Sequence, residues 1–600
     1  MFGIIKKILS VLSKKERRQL LWLIFVIIVV GLFEVAGIAS ITPLMAVIGK
    51  PEIVENNRYL YKLYQRFGFA SVNTFMIFLG LFVFFMILLS NGLKVLLLWL
   101  SHRFFHFRSL SLSQRLLFSY LNRPYTFFLN QNTAILGKNI LQEVSMFIHG
   151  VLRQCSMIFS QLVVVLFILG LLLVVGPILA VMIASTVGST YAVLYLIVQR
   201  KLSRLGEERF ESNAKRFKAA SEAFGGIKEI KLLRRERFYF DYFSINALKV
   251  EKNLITVGLI SHLPRYIMEV LAVGGILIIL LYFLLVRPDF GKTLPIISLY
   301  AFAGYRLMPA LQSIFTAVSE IRFHLPTLNS IHSDLSGITE VPAIWQQEKL
   351  PPMTFRDNIQ LVSITFTYPG SGSPVIKELN LTIKKNSIIG LIGMTGSGKT
   401  TLVDILLGLL IPEQGSILVD GVKLSLENLP KWQRNFGYVP QFIFLSDDSV
   451  AQNIAFGIPP ELIDMEAVER ASRIANLHDF VLKELPKGYA TPIGERGLRL
   501  SGGQRQRIGI ARALYHDPEI LIMDEATSSL DGITEEAVTQ AIRNLSGKKT
   551  IITIAHRLTT LKDCDIIYLM DNGKIIEYGS YAELLNCSNR FKAMSGLTLS

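Results

Sequence analysis

The segment GMTGSGKTT, which begins at Gly393, has residue types and a spacing that suit phosphate binding. The apolar run SIIGLI precedes it and LVDILLGLL follows it, so the pattern predicts a buried strand, a glycine-rich loop and a helix. Gly396 and Gly398 let backbone N–H groups turn towards phosphate oxygens, and Lys399 reaches the terminal phosphates. The Thr400 hydroxyl suits Mg²⁺. The segment therefore predicts a nucleotide-binding site.

Two adjacent carboxylates further along the chain suit the metal and the water that such a site needs. In EILIMDEAT, Asp524 and Glu525 follow a run of apolar residues. Asp524 is predicted to end a buried strand and to hold Mg²⁺ through water, while Glu525 polarises the water that attacks the phosphate. A solvated acidic strand end would explain one carboxylate more easily than two. The pair predicts nucleotide hydrolysis.

The composition indicates that part of this 600-residue chain lies in a bilayer, because 51% of its residues are hydrophobic. The formal net charge of +16 does not indicate a nucleic-acid partner, because the lysines and arginines crowd beside apolar runs, as in KKILSVLSKKERR. Cys155, Cys564 and Cys587 are far apart and show no metal-ligand spacing. They are predicted to be ordinary buried thiols in a reducing compartment.

Apolar stretches long enough to cross about 30 Å of hydrocarbon predict a transmembrane domain. The third and fourth stretches are separated only by VGP at 175–177, which predicts a tight turn on one side of the membrane. The basic segments 101–150 and 200–255 then lie on the other side, which the positive-inside rule makes cytoplasmic, together with both termini. The loop 49–74 is external, and its NRYLYKLYQRFGF predicts a short amphipathic helix. The six predicted spans are 20–46, 75–100, 151–175, 178–199, 256–286 and 293–318.

A change of pattern near residue 355 marks a second, soluble domain. From there short strand-like runs alternate with helical ones, as in SIIGLIG, ILIMDEA and TIITIAH, which predicts a mostly parallel sheet covered by helices. The predicted organisation is a transmembrane domain at 1–325, a polar linker at 326–354 and a nucleotide-binding domain at 355–600. Two cytoplasmic stretches, NRPYTFFLNQN and EAFGGIKEIKLL, are either plain helical connections or turns that dock on another domain.

The stretch LSGGQRQR, which precedes Asp524, resembles the signature of ATP-binding cassette (ABC) proteins. FTYPG, YVPQ, GERG, SSLD and IAHR are further landmarks of that family and occur in its order; one departure is Ser529, where the family usually has alanine. The resemblance covers 355–600 and implies ATP and Mg²⁺ as cofactors. The implied catalytic residues are Glu525, His556 and Gln441, and the implied Mg²⁺ ligands are Thr400, Gln441 and Asp524. The implied ATP-binding residues are Tyr368, which stacks on adenine, and Gly393, Gly396, Ser397, Gly398, Lys399, Thr400, Thr401, Ser501, Gly502, Gly503, Gln504 and Asp531.

The signature also implies a dimer. In this family Ser501, Gly502 and Gly503 close over the γ-phosphate held by the P-loop of a second copy, and the presence of both Glu525 and His556 makes a homodimer complete. Six spans ahead of one cassette resemble an ABC exporter half-transporter. The implied fold is a membrane all-α six-helix exporter domain followed by a cytoplasmic α/β P-loop ATPase domain, in the dimeric type IV ABC exporter architecture. The two cytoplasmic stretches then resemble coupling helices that dock on the cassettes.

Three cations, Lys94, Arg265 and Arg306, lie within predicted spans, where charges are costly and face a partner or a water-filled cavity. Counting about 1.5 Å per residue from the predicted outer ends places all three in one layer of the inner half of the membrane. One interpretation is a ligand with several negative charges, for which the planar fork of arginine is suited. The other gives each cation its own structural explanation: Arg265 pairs with Glu269, Lys94 snorkels to the inner surface, and Arg306 is neutralised by Glu34 or Glu320.

The stretches LPRYIMEVL and YRLMPALQ resemble the flippase that moves lipid-linked oligosaccharides in bacterial protein N-glycosylation. Arg265 and Arg306 match cavity arginines that serve the pyrophosphate of a polyprenyl-linked glycan in that family, and Lys94 lies near another. The resemblance implies a lipid-linked cargo and a multi-pass homodimer among the lipids of the bacterial inner membrane, with the cassette and both termini cytoplasmic. The alternatives are a multidrug or lipid A-like exporter, which favours a more aromatic and less cationic cavity, and a peptide exporter.

Overall fold

The computed structural model describes residues 2–49, 51–175, 177–286, 290–336, 350–494, 497–525, 536, 539–541, 543–555 and 561–594. The chain divides into two compact units. The first contains Met1–Arg123 and Gln131–Val341, and the second contains Pro124–Asn130 and Pro342–Ser600. The first unit is helical, and the second is built on two β-sheets.

The amino-terminal part of the chain is almost entirely helical, because a segment inside a bilayer has to pair its own backbone N–H and C=O groups. Two short π-helical turns, Asn139–Glu143 and Ile148–Leu152, interrupt the α-helices. The α-helices are α1 (Phe2–Val11), α2 (Lys14–Ala39), α3 (Ile41–Gly49), α4 (Ile53–Asn56), α5 (Arg58–Arg66), α6 (Val72–Leu121), α7 (Tyr125–Leu129), α8 (Thr133–Lys138), α9 (Val144–Phe147), α10 (Arg153–Val175), α11 (Pro177–Gly225), α12 (Ile227–Leu233), α13 (Glu236–Val286), α14 (Phe290–Phe323) and α15 (Leu325–Asp334).

Helices of the first unit match the predicted spans over the part of the chain that the structure describes. Helices α6, α11 and α13 have 50, 49 and 51 residues. At about 1.5 Å per residue each is much longer than the hydrocarbon layer, as predicted. The fifth and sixth predicted spans fall on α13 and α14, where the side chains of 278–303 lie outside the described residues. Four described helical stretches are long and apolar enough to cross a membrane: Lys14–Gly37, Val72–Leu121, Thr133–Val174 and Ala180–Gly225.

The first span differs from the prediction because it is broken. The sequence predicted a continuous run over 20–46, but α2 ends at Ala39 and α3 begins at Ile41. Pro43 has no N–H to donate to the carbonyl of Ala39, so the helical hydrogen bonding cannot continue through this point. The Ser40 hydroxyl donates to the Gly37 carbonyl over 2.7 Å at the break.

The two predicted connections at the membrane surface are present. Helix α10 ends at Val175 and α11 begins at Pro177, whose fixed φ angle suits the first residue of a helix. The predicted amphipathic helix is α5, and the Asn57 side chain begins it by accepting hydrogen bonds from the backbone N–H groups of Tyr59 and Leu60. Helix α5 buries none of its residues in the chain, which suits a helix that lies on a membrane surface.

A buried ion cluster around Glu143 joins three segments of the first unit. The Glu143 carboxylate lies 3.5 Å from the Lys138 ammonium and 3.2 Å from the Arg209 guanidinium, and all three side chains are 0% exposed. The Thr327 hydroxyl donates to Glu143 over 2.8 Å and the Asn213 amide over 3.1 Å. One carboxylate therefore holds α8, α11 and α15 together and compensates two buried cations.

Replacing Glu143 with alanine would leave Lys138 and Arg209 as buried cations without their carboxylate. Removing one partner of a buried ion pair costs about 3–5 kcal/mol, so we expect a large fall in the apparent melting temperature of the detergent-solubilised protein. The matched control is Glu208→Ala, because Glu208 forms an exposed pair with Arg204 over 2.8 Å. Loss of an exposed pair costs less than about 1 kcal/mol. Equal melting temperatures for the two variants would contradict the conclusion that Glu143 stabilises the fold by compensating Lys138 and Arg209.

The second unit contains two sheets. The larger sheet has the order β10-β9-β3-β8-β7-β6 and is parallel except for β10, as the alternation of strands and helices predicted. A smaller antiparallel sheet, β2-β1-β4-β5, was not predicted. The strands are β1 (Asn358–Phe366), β2 (Ile376–Lys384), β3 (Ile388–Gly393), β4 (Gln414–Val419), β5 (Val422–Lys423), β6 (Phe436–Val439), β7 (Ile520–Asp524), β8 (Thr550–Ile554), β9 (Ile566–Asp571) and β10 (Lys574–Gly579).

Helices cover both faces of the parallel sheet, so its central strands are buried throughout; every residue of β3 and of β7 is buried. Two hydrophobic cores result, one on each face, and Trp432 is fully buried in one of them. The described α-helices are α16 (Lys399–Leu406), α17 (Leu429–Gln433), α18 (Val450–Ile454), α19 (Met465–Ile474), α20 (His478–Glu484), α21 (Gly502–Leu514), α22 (Tyr581–Cys587) and α23 (Asn589–Met594).

Two further features depart from the sequence prediction. The predicted linker 326–354 begins with helix α15, which buries Thr327, Leu328 and Ile331 against the first unit; the apolar spacing of this helix was overlooked. The prediction of three buried thiols holds for Cys564 but not for Cys155, which is partly exposed, or for Cys587, which is exposed at the end of α22. Cysteine is usually buried, but a position at the end of a short surface helix overrides that tendency.

Candidate ATPase site and transmembrane cavity

The predicted phosphate-binding loop joins β3 to α16, as the sequence required. Gly393 ends the strand with its α-carbon so close to the neighbouring strand that a Cβ would lie 2.2 Å from the Met570 carbonyl oxygen. Gly398 has a φ angle of 102°, in the left-handed region, and lies directly before the first residue of α16. These constraints explain why glycine occupies both positions and why the loop turns sharply into the helix.

The Lys399 ammonium lies inside this loop. It donates to the carbonyl oxygens of Gly393 over 2.7 Å and Met394 over 3.0 Å, and lies 3.4 Å from the Ser397 hydroxyl. Burial lowers the pKa of Lys399, while Glu525 and Asp524 oppose this by raising it. The neighbouring Thr400 is exposed, so its hydroxyl is accessible to a metal ion.

The two predicted carboxylates occupy the end of β7. Asp524 is buried as the last residue of the strand, and Glu525 follows with a left-handed φ of 52°. The Glu525 backbone N–H donates to the Ile554 carbonyl over 3.1 Å, which ties this turn to β8. The Gln441 amide, which follows β6, donates to the Glu525 carboxylate over 2.9 Å. The structure therefore brings Gln441 and Glu525 together although 84 residues separate them.

The other described residues of the predicted nucleotide site lie beside α16 and at the beginning of α21. The Tyr368 hydroxyl lies 3.0 Å from the Thr401 hydroxyl, which places the predicted adenine-stacking ring beside α16. Ser501 precedes α21, where its hydroxyl accepts from the Gln504 N–H over 3.2 Å and its own N–H donates to the Gln504 side chain over 2.8 Å. Ser501 therefore caps the helix that contains Gly502 and Gly503, and it is exposed.

Two predicted site residues, His556 and Asp531, lie outside the described residues, as do Ser529 and Glu495 of the quoted motifs. The sequence reading also missed two residues near the carboxylates. Asp404 is buried in α16, and its burial together with Asp524 raises its pKa to about 6. The Gln506 amide donates to the Glu525 carbonyl over 3.2 Å. Asp404 lies one helical turn after Thr400, a spacing from which its proximity could have been predicted.

The first of the two candidate docking stretches belongs to the second unit. Pro124–Asn130, which contains α7, groups with the cassette although it lies between two membrane helices in the sequence. Burial raises the pKa of Tyr125, with a further contribution from Asp404. The docking role of NRPYTFFLNQN stays a prediction.

The first unit contains a cavity of about 460 Å³ between α2, α6, α10 and α14. Lys94 lies on its wall, and the Lys94 ammonium pairs with the Glu34 carboxylate over 2.5 Å. Lys94 therefore does not snorkel to the membrane surface, as one interpretation predicted, but forms an ion pair between α6 and α2. The other polar side chains on the wall, which the sequence reading did not select, are those of Ser101, His102, Arg153, Ser156, Ser160, Gln161, Tyr305 and Ser313.

Of the two predicted cavity arginines, Arg265 is not among the residues that line the cavity with Lys94. Arg265 and Glu269 are both exposed on α13, and among the described side chains no ion pair joins them. The side chain of Arg306 lies outside the described residues, although its backbone belongs to α14. Of its proposed partners, Glu34 pairs with Lys94 and Glu320 lies 3.4 Å from His324.

Two protein families match this chain, one over its membrane helices and one over the domain that contains the phosphate loop and the LSGGQRQR stretch at the start of α21. Residues 13–305 match the family described as the ABC transporter transmembrane region, and residues 376–528 match the family described as ABC transporter. The chain belongs to the ABC transporter family. Because one chain contains both parts, the transporter is an exporter half-transporter in which the cytoplasmic cassette binds ATP and couples its hydrolysis to transport.

Relatives of the transporter cover most of its length. It is 31% identical over 466 residues to the ATP-dependent lipid A-core flippase of Bordetella avium, a match that covers 76% of this chain and 75% of the flippase. It is 36% identical over 383 residues to the heterocyst differentiation ATP-binding protein HepA of a Nostoc species, and this match covers 62% of this chain and 60% of HepA. The solved structure of a bacterial Atm1-family ABC exporter with ATP bound has a TM-score of 0.76 and 21% identity, and the match covers 97% of this chain and 98% of that exporter. This likeness confirms the predicted type IV exporter fold.

Replacing Glu525 with glutamine should leave ATP binding intact and nearly abolish hydrolysis, because the neutral amide cannot polarise the attacking water. The Gln441 amide contacts this side chain, but an amide at 525 still fills the same space. The measurement is ATP binding beside ATPase rate for the purified variant. A residual rate above about a tenth of the parent rate would show that Glu525 is not the base.

Replacing Ser501 with arginine should stop turnover and spare ATP binding by the P-loop of the same chain, because the signature is predicted to act across a dimer. Ser580→Arg is the matched control, since Ser580 caps α22 by the same reciprocal pattern and is not one of the predicted nucleotide residues. The control should keep its ATPase activity although it loses a cap of similar stability.

Mixed dimers test the same prediction more sharply. A Ser501→Arg chain combined with a Lys399→Ala chain should contain one intact site, built from the first chain's P-loop and the second chain's signature. A chain with both changes combined with a parent chain should contain none. Each mixed dimer is purified free of homodimers through a different affinity tag on each chain, and equal ATPase rates for the two purified mixed dimers would contradict action across the dimer.

Proposed function

We propose that the transporter moves an amphipathic, negatively charged, lipid-linked substrate, a polyprenyl-pyrophosphate oligosaccharide, across the bacterial inner membrane. The observation that carries this proposal is the cavity between α2, α6, α10 and α14, which both apolar and polar side chains line and whose wall includes the cations Lys94 and Arg153. Polar and charged side chains inside membrane spans are costly and mark substrate pathways. A substrate with both a phosphate and a glycan supplies partners for these groups.

Arginine chemistry supports the pyrophosphate part of the proposal. A guanidinium donates two parallel hydrogen bonds to phosphate oxygens and stays charged in a low-dielectric site. The Arg265 side chain is exposed and, among the described residues, does not form the ion pair with Glu269 that the structural interpretation requires. Arg306 has the same role in the proposal through its resemblance to a cavity arginine of the oligosaccharide flippase.

The relative in Bordetella avium supports a lipid substrate and favours a second candidate. Its match extends over 76% of this chain, which is more than the cassette alone, and its name states that it flips lipid A-core. A glycolipid of the lipid A-core type would also present a glycan to the cavity. The second candidate is therefore a lipid A-core-like substrate.

The ATPase cycle requires a second copy of the chain. We propose a homodimer in which Ser501 and α21 of one copy face the nucleotide on Lys399 of the other. Helix α12 supports such an assembly, because its side chains Leu232 and Leu233 are 80% and 65% exposed. A short helix with exposed leucines suits docking on the cassette of the second copy. Alternation between inward-facing and outward-facing states then follows ATP binding and hydrolysis.

The residues at the phosphate loop fit a magnesium ion, because Mg²⁺ prefers hard oxygen ligands. The Thr400 hydroxyl is exposed beside Lys399, and Asp524 ends β7, which lies two strands from β3 in the sheet. Thr400, Asp524 and the Gln441 amide oxygen would hold the ion, which would neutralise charge on the β- and γ-phosphates. Lys399 then contacts the phosphates, and Glu525 orients the water for attack.

Replacing Arg265 and Arg306 together with glutamine tests the proposed substrate. A charge-assisted contact is worth about 1.5–3 kcal/mol, so each single change should weaken binding of polyprenyl-pyrophosphate oligosaccharide about ten- to a hundredfold, and the pair should weaken it more. The measurements are the concentration for half-maximal ATPase stimulation in lipid nanodiscs and the melting temperature of each variant.

The control for this experiment is Glu269→Gln on the Arg265→Gln background. If Arg265 only neutralised Glu269, the single change would lower the melting temperature and the second change would restore it. Stable single variants with parental stimulation by the pyrophosphate glycan would refute the substrate role of the arginines.

A further inference from the structure

One face of helix α10 is polar in an otherwise apolar span. Ser156 and Ser160 are about one helical turn apart, Gln161 follows directly, and the residues after it, LVVVLFILGLLLVV, are apolar to the end of the helix. All three side chains lie on the wall of the cavity. We call these three residues the α10 polar face. Its placement shows that the polar residues point to the cavity rather than to surrounding lipid.

Other helices also contribute neutral polar side chains to the wall. Ser101 of α6 and Tyr305 and Ser313 of α14 line the same cavity. Serine, tyrosine and glutamine side chains each both donate and accept hydrogen bonds. A volume of about 460 Å³ lies within the usual range for small-molecule pockets, about 300–1,000 Å³. The cavity is therefore large enough for a compact polar group that carries both donors and acceptors.

The two cations on the wall differ in whether a carboxylate compensates them. The Lys94 charge is compensated by Glu34 across 2.5 Å. Arg153 begins α10, is exposed, and has no ion pair with any carboxylate in the described part of the chain. Arg153 lies three residues before Ser156, a distance of about 4.5 Å along the helix axis, whereas the polar face extends about 7.5 Å beyond Ser156. The cation therefore lies at one end and the neutral groups follow.

We infer that the α10 polar face is a subsite that contacts the hydroxyl groups of a glycan next to a phosphate bound at Arg153. The inference rests on the proposed function and names the residues that distinguish a glycosylated lipid from its bare phosphate. Sugar hydroxyls donate and accept hydrogen bonds, as do all three side chains of the face. A site built to bond hydroxyls discriminates against a ligand that lacks them, because its own polar groups are then left unpaired.

Small polar residues in membrane helices also serve helix packing, and this structural role predicts a different outcome. Serine lets two helices approach closely, so its replacement would change stability for every substrate alike. A glycan subsite instead changes the preference between two lipids that differ only in the glycan. The experiment therefore has to compare substrates within one variant.

The test uses the full-length transporter in nanodiscs with three probes: polyprenyl pyrophosphate with an oligosaccharide, the same lipid without it, and lipid A-core. The variant combines Ser160→Ala with Gln161→Leu. We expect it to raise the half-saturating concentration of the glycosylated pyrophosphate lipid roughly tenfold and to leave that of the bare lipid unchanged. Arg153→Gln should raise both values, because both lipids contain the pyrophosphate.

Ser185→Ala is the matched control. Ser185 lies in α11 and is not on the wall of the cavity; its hydroxyl donates to the Met182 carbonyl of its own helix over 2.9 Å. We expect parental half-saturating concentrations for all probes with this variant. The melting temperature of each variant is measured in the same nanodiscs.

The outcomes separate this inference from the proposed function. Two results are contrary to the subsite: the Ser160 and Gln161 variant binds both pyrophosphate lipids as the parent does, or it binds both more weakly by the same factor. Either result would overturn the subsite and leave the proposed function standing. A parent that binds lipid A-core and neither pyrophosphate lipid would refute the proposed substrate; weaker lipid A-core binding by the variant would then keep the subsite for that glycolipid. A parent that binds none of the three refutes both.

Discussion

Parallel hydrogen bonding between β3, β8, β7 and β6 is the constraint on which the ATPase site depends. In a parallel sheet the carboxyl ends of neighbouring strands lie along one edge. The phosphate loop follows β3, Asp524 ends β7 with Glu525 directly after it, and Gln441 follows β6. The ladder of β7 with β8, which extends to Asp524 opposite Ile554, sets the position of the carboxylates. Groups that are distant in the sequence therefore converge without direct bonds between all of them.

The cost of burying charge organises the helical unit in a similar way. At Glu143 one carboxylate compensates Lys138 and Arg209 and accepts additional hydrogen bonds, so no partner is left exposed. At Lys94 the same cost is met by Glu34 from another helix. The Arg153 charge is not compensated in this way, because its guanidinium lies on the cavity wall and no carboxylate among the described residues is within ion-pair distance. The first two arrangements join helices, and the third leaves a cation available to a ligand.

Motif context explains why the cassette was more predictable than the membrane domain. A glycine-rich loop is specified by local backbone conformation, and Gly398 has the left-handed φ angle that its sequence position implied. Polar residues in a span carry no such local signature. Ser156 and Ser160 are about one turn apart on α10, but only the neighbouring helices decide whether that face meets lipid, protein or a cavity. The same uncertainty led the sequence analysis to consider Lys94 and Glu34 separately.

The sequence by itself determined the family resemblance, the order of spans and cassette, the strand–loop–helix at Lys399 and the acidic strand end at Asp524. These features depend on hydrophobic length and on backbone geometry within a few residues, which neighbouring residue types specify. Only the tertiary structure decided that Gln441 contacts Glu525, that Lys94 pairs with Glu34, that Cys587 is exposed and that Arg153 shares a cavity with the α10 polar face. These features depend on contacts between distant segments, whose relative positions result from packing of whole helices and strands and are not encoded in any local spacing.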